Sequence, residues 1–120
     1  MRLDSVGLRR LYPRVRDALL AAAYQLTDTV DVVRVLERLI ATSIERDAKR
    51  VLVRVQVAGA GTQVSVIDRR RLNPRESLPS VLVRKDLARA SGVNLVGQGG
   101  GLMLWAIVDR RSSLDGPPAA

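Results

Sequence analysis

Polar groups that could bind a nucleotide occur at three separated places along this chain. Thr42 and Ser43 interrupt an apolar helical pattern, and Asp68 ends an alternating apolar run. The glycine-rich segment GQGGG, residues 97–101, precedes the apolar run LMLWAIVD. A carboxylate can accept a hydrogen bond from a purine amino group, and N–H groups at a glycine-approached helix start can bind phosphate. Taken one by one, Asp68 has the chemistry to contact a purine and the glycine segment the chemistry to contact phosphate, and the Thr42–Ser43 pair raises the question of a ligand.

Each feature also has an ordinary structural explanation. The Ser43 hydroxyl can bond to a carbonyl of the preceding helical turn. Asp68 can be a turn residue or a partner for Arg69–Arg71, and a glycine cluster can be a mobile loop. The glycine segment also lacks the GK[ST] ending of a Walker loop, and no suitable strand leads into it for a Rossmann fingerprint.

Composition excludes several kinds of chemistry. The 120 residues include no His and no Cys. Disulfides, thiolate metal sites, zinc catalysis and the usual nucleophile–base pairs are therefore not expected. We assign no catalytic residue and no metal ligand.

Charge points to polyanionic partners. The formal net charge is +8, and of the 20 basic residues only Lys49 and Lys85 are not arginine. Such a surplus attracts nucleic acid first and acidic membrane second. No apolar run approaches the ~20 residues that span a bilayer, and the first residues lack the apolar centre of a signal peptide. We therefore expect an intracellular protein without a membrane partner.

Periodicity predicts the elements that would position these groups. Helical spacing predicts one helix from Arg14 and a second from about Val30 to Arg46. Period-two alternation on either side of the turn AGAG predicts a β-hairpin that ends at Asp68.

The second half of the chain is less regular. A further helix is expected over residues 80–91, ending at Gly92, and another from about Gly101 to Arg110. The pattern predicts one α+β domain over residues 1–110, with helices packed on one face of a small antiparallel sheet. Residues 111–120 have the composition of a disordered tail.

The order of these motifs resembles the GHKL (Bergerat) ATPases. The local similarity is to the N-terminal domain of MutL-type DNA mismatch-repair proteins, closest to the MutL homologue three branch. The run LERLIATSIERDAKRVLVRVQVAGAGTQVSVID resembles the family's E-x-x-x-N-S-x-D-A motif and the strand that ends in D-N-G-x-G. The run VGQGGGLMLWAI resembles G-F-R-G-E-A-L, and VRKDL resembles the T-S-K segment. Over roughly residues 1–110, the resemblance implies a partial Bergerat-type α/β sandwich.

The resemblance also implies cofactors, partners and a set of nucleotide-binding residues. ATP and Mg²⁺ would be the cofactors, bound weakly or not at all. DNA and a MutL-family subunit would be the partners, in the nucleus if the source is eukaryotic. The nucleotide-binding set that the resemblance implies is Thr42, Ser43, Asp68, Lys85, Gly97, Gly99, Gly100 and Gly101.

Departures from the family pattern remove most of the catalytic chemistry. Arg38 stands where the family has its general-base Glu, and Thr42 where it has the Mg²⁺-binding Asn. A Thr hydroxyl is a poorer ligand for an octahedral ion, and loss of a general base alone costs a factor of ~10²–10⁴. Arg69–Arg71 replace the glycines of D-N-G-x-G. Little or no ATP hydrolysis is therefore expected.

Two alternative functions stay open. One is a small arginine-rich module that contacts the nucleic-acid backbone without sequence specificity. The other is a GHKL ATPase domain outside mismatch repair, since GQGGGLMLWAIVD also resembles histidine-kinase and anti-sigma domains. Because the family continues with further strands, we expect a truncated domain, either a fragment or one completed by a partner. The candidate nucleic-acid contacts are Arg14, Arg16, Arg69, Arg70 and Arg71.

Overall fold

The computed structural model describes residues 1–58, 61–73, 75–80, 83–97 and 101–110. The expected tail, residues 111–120, lies outside the described residues. Two helices precede four strands: α1 Ser5–Ala21, α2 Leu26–Glu45, β1 Val51–Ala58, β2 Gly61–Asp68, β3 Ala90–Val96 and β4 Gly101–Asp109.

The strands form a single antiparallel sheet in the order β1-β2-β4-β3. Both helices lie on one face of this sheet, and α2 contacts the two central strands. From α2, the side chains of Val35, Leu36 and Leu39 are fully buried, and they meet the inward residues of β2 and β4. The expected α+β class, with helices on one face of a small antiparallel sheet, is confirmed.

The helices begin earlier than the periodicity suggested. α1 starts at Ser5, where the Asp4 carboxylate caps it by accepting a hydrogen bond from the Gly7 N–H at 2.7 Å. Pro13, expected in the first turn, lies inside α1. α2 starts at Leu26 and includes the polar segment TDTVD.

The two helices expected in the second half of the chain are wrong. Residues 101–110 contain strand β4. In the expected helix 80–91, residues 81 and 82 lie outside the described residues, and residues 83–91 contain a turn followed by the start of β3. β4 is a central strand whose even-numbered residues, 102 to 108, are buried under the helices, while Met103, Trp105 and Ile107 on its other face are half-buried. A strand that is apolar on both faces has no clear period of two, so its pattern cannot be distinguished from that of a buried helix.

The first residues close one end of the sheet. The Met1 amino group donates to the Val51 carbonyl at 2.7 Å. The main chains of Arg2 and Arg50 form an isolated antiparallel β-bridge. At the other end of β2, the hydroxyls of Tyr24 and Thr62 are hydrogen-bonded in the interior. Among the described residues, neither helix has the length and apolar character needed to cross a membrane.

Two glycines at strand starts provide a test of the packing between β2 and β4. A Cβ at Gly101 would lie 2.6 Å from the main-chain oxygen of Asp68, whereas the nearest atom to a Cβ at Gly61 is 3.5 Å away. We expect Gly101→Ala to lower the free energy of unfolding by about 1–3 kcal/mol, because the backbone must shift. Gly61→Ala should change it by no more than about 0.5 kcal/mol. Urea denaturation of both variants measures this, and equal effects would contradict the close approach at Gly101.

Candidate functional site

A buried carboxylate joins the end of the sheet to the end of α2. Asp68, the last residue of β2, is 1% exposed. The Nη1 atom of Arg46, the residue that follows α2, donates to both carboxylate oxygens at 3.2 and 3.0 Å. The main-chain N–H of Arg70 donates to Oδ1 at 3.1 Å. This carboxylate is therefore already bound by groups of its own chain.

A second carboxylate extends the arrangement towards the surface. Glu76 accepts two hydrogen bonds from Nη1 of Arg70, at 3.0 and 2.9 Å. Its Oε1 lies 3.7 Å from Nε of Arg46. Arg46, Asp68, Arg70 and Glu76, called the ion-pair cluster below, thus alternate in charge.

The two carboxylates have pKa values shifted in opposite directions. Burial raises the pKa of Asp68 above its ordinary value, and the opposing influence of Arg46 and of the Arg70 N–H is smaller. The hydrogen bond from Arg70 lowers the pKa of Glu76. The charge on Asp68 therefore depends on Arg46, because desolvation alone favours the protonated acid.

Hydrogen-bonding capacity is left over beside the ion-pair cluster. Within the described residues, Oγ of Ser43 and both Nε and Nη2 of Arg46 are buried and make no hydrogen bond. Thr42 differs, since its hydroxyl donates to the Arg38 carbonyl at 3.2 Å. Unused buried donors of this kind are uncommon, and either an ordered water or a ligand can satisfy them.

Several of the predicted nucleotide-binding residues lie at this end of the fold. Thr42 and Ser43 are in the last turns of α2, just before Arg46. Gly101 packs against the main chain of Asp68. Gly97, with φ +61°, follows β3 where Val96 pairs with Gly101.

Other predicted positions lie apart. Lys85 is exposed in the turn before β3. The first residue of β3, Ala90, pairs with Ile107, whereas Asp68 pairs with Leu102 near the other end of β4. Gly99 and Gly100 lie outside the described residues. Gly101 begins strand β4. The helix N-terminus that was expected to bind phosphate here is therefore a strand.

The arginines proposed for nucleic-acid contact are divided between two places. Arg14 and Arg16 are exposed on α1. Arg69 and Arg71 are exposed just after β2, whereas Arg70 is partly covered and bound to Glu76. They therefore come from two different elements of the fold.

Sequence reasoning missed Arg46 and Glu76. Arg46 follows Leu39 and Ser43 at helical spacing, so it continues a stripe that is buried in the structure. That spacing was a usable signal of a buried guanidinium that needs a carboxylate. Glu76 lies in an irregular segment, and no periodicity indicates its partner.

Comparison with known proteins adds no further assignment. No family model matches the chain, and neither a curated protein nor a solved structure matches it. Fold and site therefore define the class: a two-layer α+β domain with a buried ion-pair cluster where its long helix meets its sheet.

Removal of the Arg46 guanidinium tests whether the ion-pair cluster supports the fold. Arg46→Met leaves the Asp68 carboxylate buried without its main partner, so the free energy of unfolding should fall by about 3–5 kcal/mol at neutral pH. The loss should shrink in acid. Burial raises the pKa of Asp68 in the folded state above its value in the unfolded chain. The buried charge therefore lowers the free energy of unfolding only as pH rises from the unfolded pKa towards the folded pKa, and in acid the carboxyl is neutral in both states. Urea denaturation of the wild-type protein and the variant, at neutral pH and in acid, measures this loss.

A matched control is Arg16→Met, since the Arg16–Asp17 pair is exposed with 3.4 Å between Nε and Oδ1. Its loss should be no more than about 0.5 kcal/mol at either pH. If both variants lose the same free energy of unfolding, the buried pair stabilises the fold no more than an exposed pair does.

Proposed function

We propose that this domain is a degenerate MutL-type GHKL module with weak nucleotide binding, non-specific DNA binding and little or no ATP hydrolysis. By this proposal it acts in DNA mismatch repair with a MutL-family partner subunit, in the nucleus if the source is eukaryotic. One observation carries the proposal: Ser43, Asp68 and Gly101, far apart in sequence, belong to one end of the fold.

Nucleotide binding at this end competes with the ion-pair cluster. The Asp68 side chain is inaccessible behind Arg46, so a purine amino group can reach its carboxylate only if Arg46 moves away. A released guanidinium is well suited to phosphate, which it binds through two parallel N–H groups. The buried Ser43 hydroxyl supplies a further donor. Since an internal ion pair must open first, the affinity is expected to be low.

The residues do not fit catalysis with Mg²⁺. Arg38, at the position of the family's general base, carries a guanidinium that cannot accept a proton at physiological pH. The Thr42 hydroxyl, at the position of the metal ligand, is bonded to the Arg38 carbonyl. We therefore assign no step to a metal ion.

Calorimetric titration with ATP, with and without Mg²⁺, tests nucleotide binding. We expect saturable binding with a dissociation constant on the order of 1 mM, equivalent to about 4 kcal/mol, and no detectable phosphate release. Inorganic triphosphate is the control for attraction to arginine alone. It should bind more weakly than ATP, because it has no purine for Asp68.

Asp68→Asn, checked for folding by circular dichroism, should abolish the preference for ATP over triphosphate. Absence of saturable ATP binding in the wild-type protein at millimolar concentration would refute the nucleotide part of the proposal. Equal affinity for ATP and triphosphate would refute it as well.

A second candidate is the arginine-rich nucleic-acid-binding module. It is favoured by the engagement of Asp68 with Arg46, which makes the carboxylate a structural group. It is also favoured by the exposed side chains of Arg14, Arg16, Arg69 and Arg71. In this case duplex DNA is bound through phosphate contacts without any response to ATP.

Salt dependence of duplex affinity tests this candidate. If the domain contacts several phosphates, raising the salt concentration from about 50 to 200 mM should weaken duplex binding roughly a thousand-fold. A double variant, Arg69→Gln with Arg71→Gln, should reduce the slope of log affinity against log salt by about one per lost contact. A slope unchanged in that variant would exclude these two contacts, and competition by ATP would favour the first candidate.

A further inference from the structure

The sheet face turned away from the helices carries a row of four residues around Trp105. Strand register places Arg54 beside Ser65, Ser65 beside Trp105, and Trp105 beside Gly92. Partners in an antiparallel sheet share a face. This row therefore crosses all four strands on one side.

Two flanking rows complete this surface, called the Trp105 face below. Their side chains follow from the same register and the alternation of strand residues. One row mixes apolar residues with an amide, and the other has two amides. The rows are Leu52, Ile67, Met103 and Asn94, and Gln56, Gln63, Ile107 and Ala90.

Trp105 is held in place on this face. Its indole lies over Gly92, where an added Cβ would be 2.8 Å from Cζ2 of the ring. Its Nε1 donates to Oδ1 of Asn94 at 3.4 Å. The indole is half-buried, so part of it stays accessible. Gly92 thus provides room for a fixed aromatic platform in the middle of the sheet.

The charge on the Trp105 face is unbalanced. The four strands contain two carboxylates. Asp68 points inward to the ion-pair cluster. Asp109 lies on the same face as Trp105, but its Oδ1 is 3.5 Å from Nε of Arg89, which offsets its charge. Arg54 is exposed. A partner for this face should therefore bring negative charge.

We propose that the Trp105 face binds single-stranded nucleic acid. A base stacks on Trp105, a neighbouring phosphate binds the Arg54 guanidinium, and the amides of Gln56 and Gln63 hydrogen-bond to base edges. Aromatic stacking beside a basic side chain suits unpaired bases of any sequence. A second copy of this chain suits the face less, since it would bring another +8 molecule against it. The inference goes beyond the proposed function and does not depend on Asp68.

Intrinsic fluorescence provides a direct test, because Trp105 is the single tryptophan of the chain. The probe is oligothymidylate of about 12 nucleotides, within the usual site sizes of such surfaces, at one fixed salt concentration. We expect saturable quenching of the Trp105 emission. Anisotropy of an end-labelled oligothymidylate gives the affinity independently.

Variants separate stacking from general attraction. Trp105→Leu should weaken oligothymidylate binding about tenfold, whereas Trp105→Phe, which keeps a ring, should lose less. Arg54→Gln should weaken it several-fold more than Arg34→Gln, an equal loss of charge at an exposed site on α2. Circular dichroism and urea denaturation confirm that each variant is folded.

Three results would overturn the inference. The first is oligonucleotide binding by anisotropy without any change in Trp105 fluorescence, which would place the contact on other arginines. The second is equal weakening by Arg54→Gln and Arg34→Gln. The third is a concentration-dependent change in Trp105 emission without oligonucleotide, with a dimer in sedimentation, which would make the face a contact between two copies. ATP titration is independent of all three.

Discussion

The buried ion pair between Arg46 and Asp68 determines how the helical layer meets the sheet. Both side chains are nearly inaccessible, at 6% and 0% exposure, so each has given up its hydration. Such a pair is stable only if both partners stay in place, because either one alone would be an uncompensated buried charge. The end of α2 is therefore held at the end of β2. Gly101 packs on the same backbone, and Glu76 brings the following segment over it.

This pair also controls what the site can bind. Asp68 is the group that could recognise a purine, and it is the group that neutralises Arg46. Because the Asp68 side chain is buried against Arg46, a purine can reach it only by displacing that contact, so recognition competes with structure. The unused buried donors of Ser43 and Arg46 show that the surroundings are not fully satisfied by internal contacts. A ligand with acceptor oxygens can satisfy them, and so can an ordered water.

The two faces of the sheet divide the remaining chemistry. The helix-covered face carries the apolar core of Val, Leu, Ile and Ala, together with the ion-pair cluster. The opposite face carries Trp105, the amides and Arg54, and neither of the two described helices covers it. A two-layer fold leaves one sheet face open, and here that face combines an aromatic ring with positive charge. The net charge of +8 makes polyanions the natural partners of either surface.

The sequence by itself determined the α+β class, the long helix α2 and the β1–β2 hairpin, because period 3.6 and period 2 are distinct in those segments. It also determined the excess of arginine and the absence of His and Cys. Only the tertiary structure decided that LMLWAIVD is a strand, since burial on both faces of a central strand removes the alternation that would identify it. Only the tertiary structure, likewise, decided that Arg46 binds Asp68. Which charges meet depends on how elements pack, and local periodicity carries no record of contacts between distant segments.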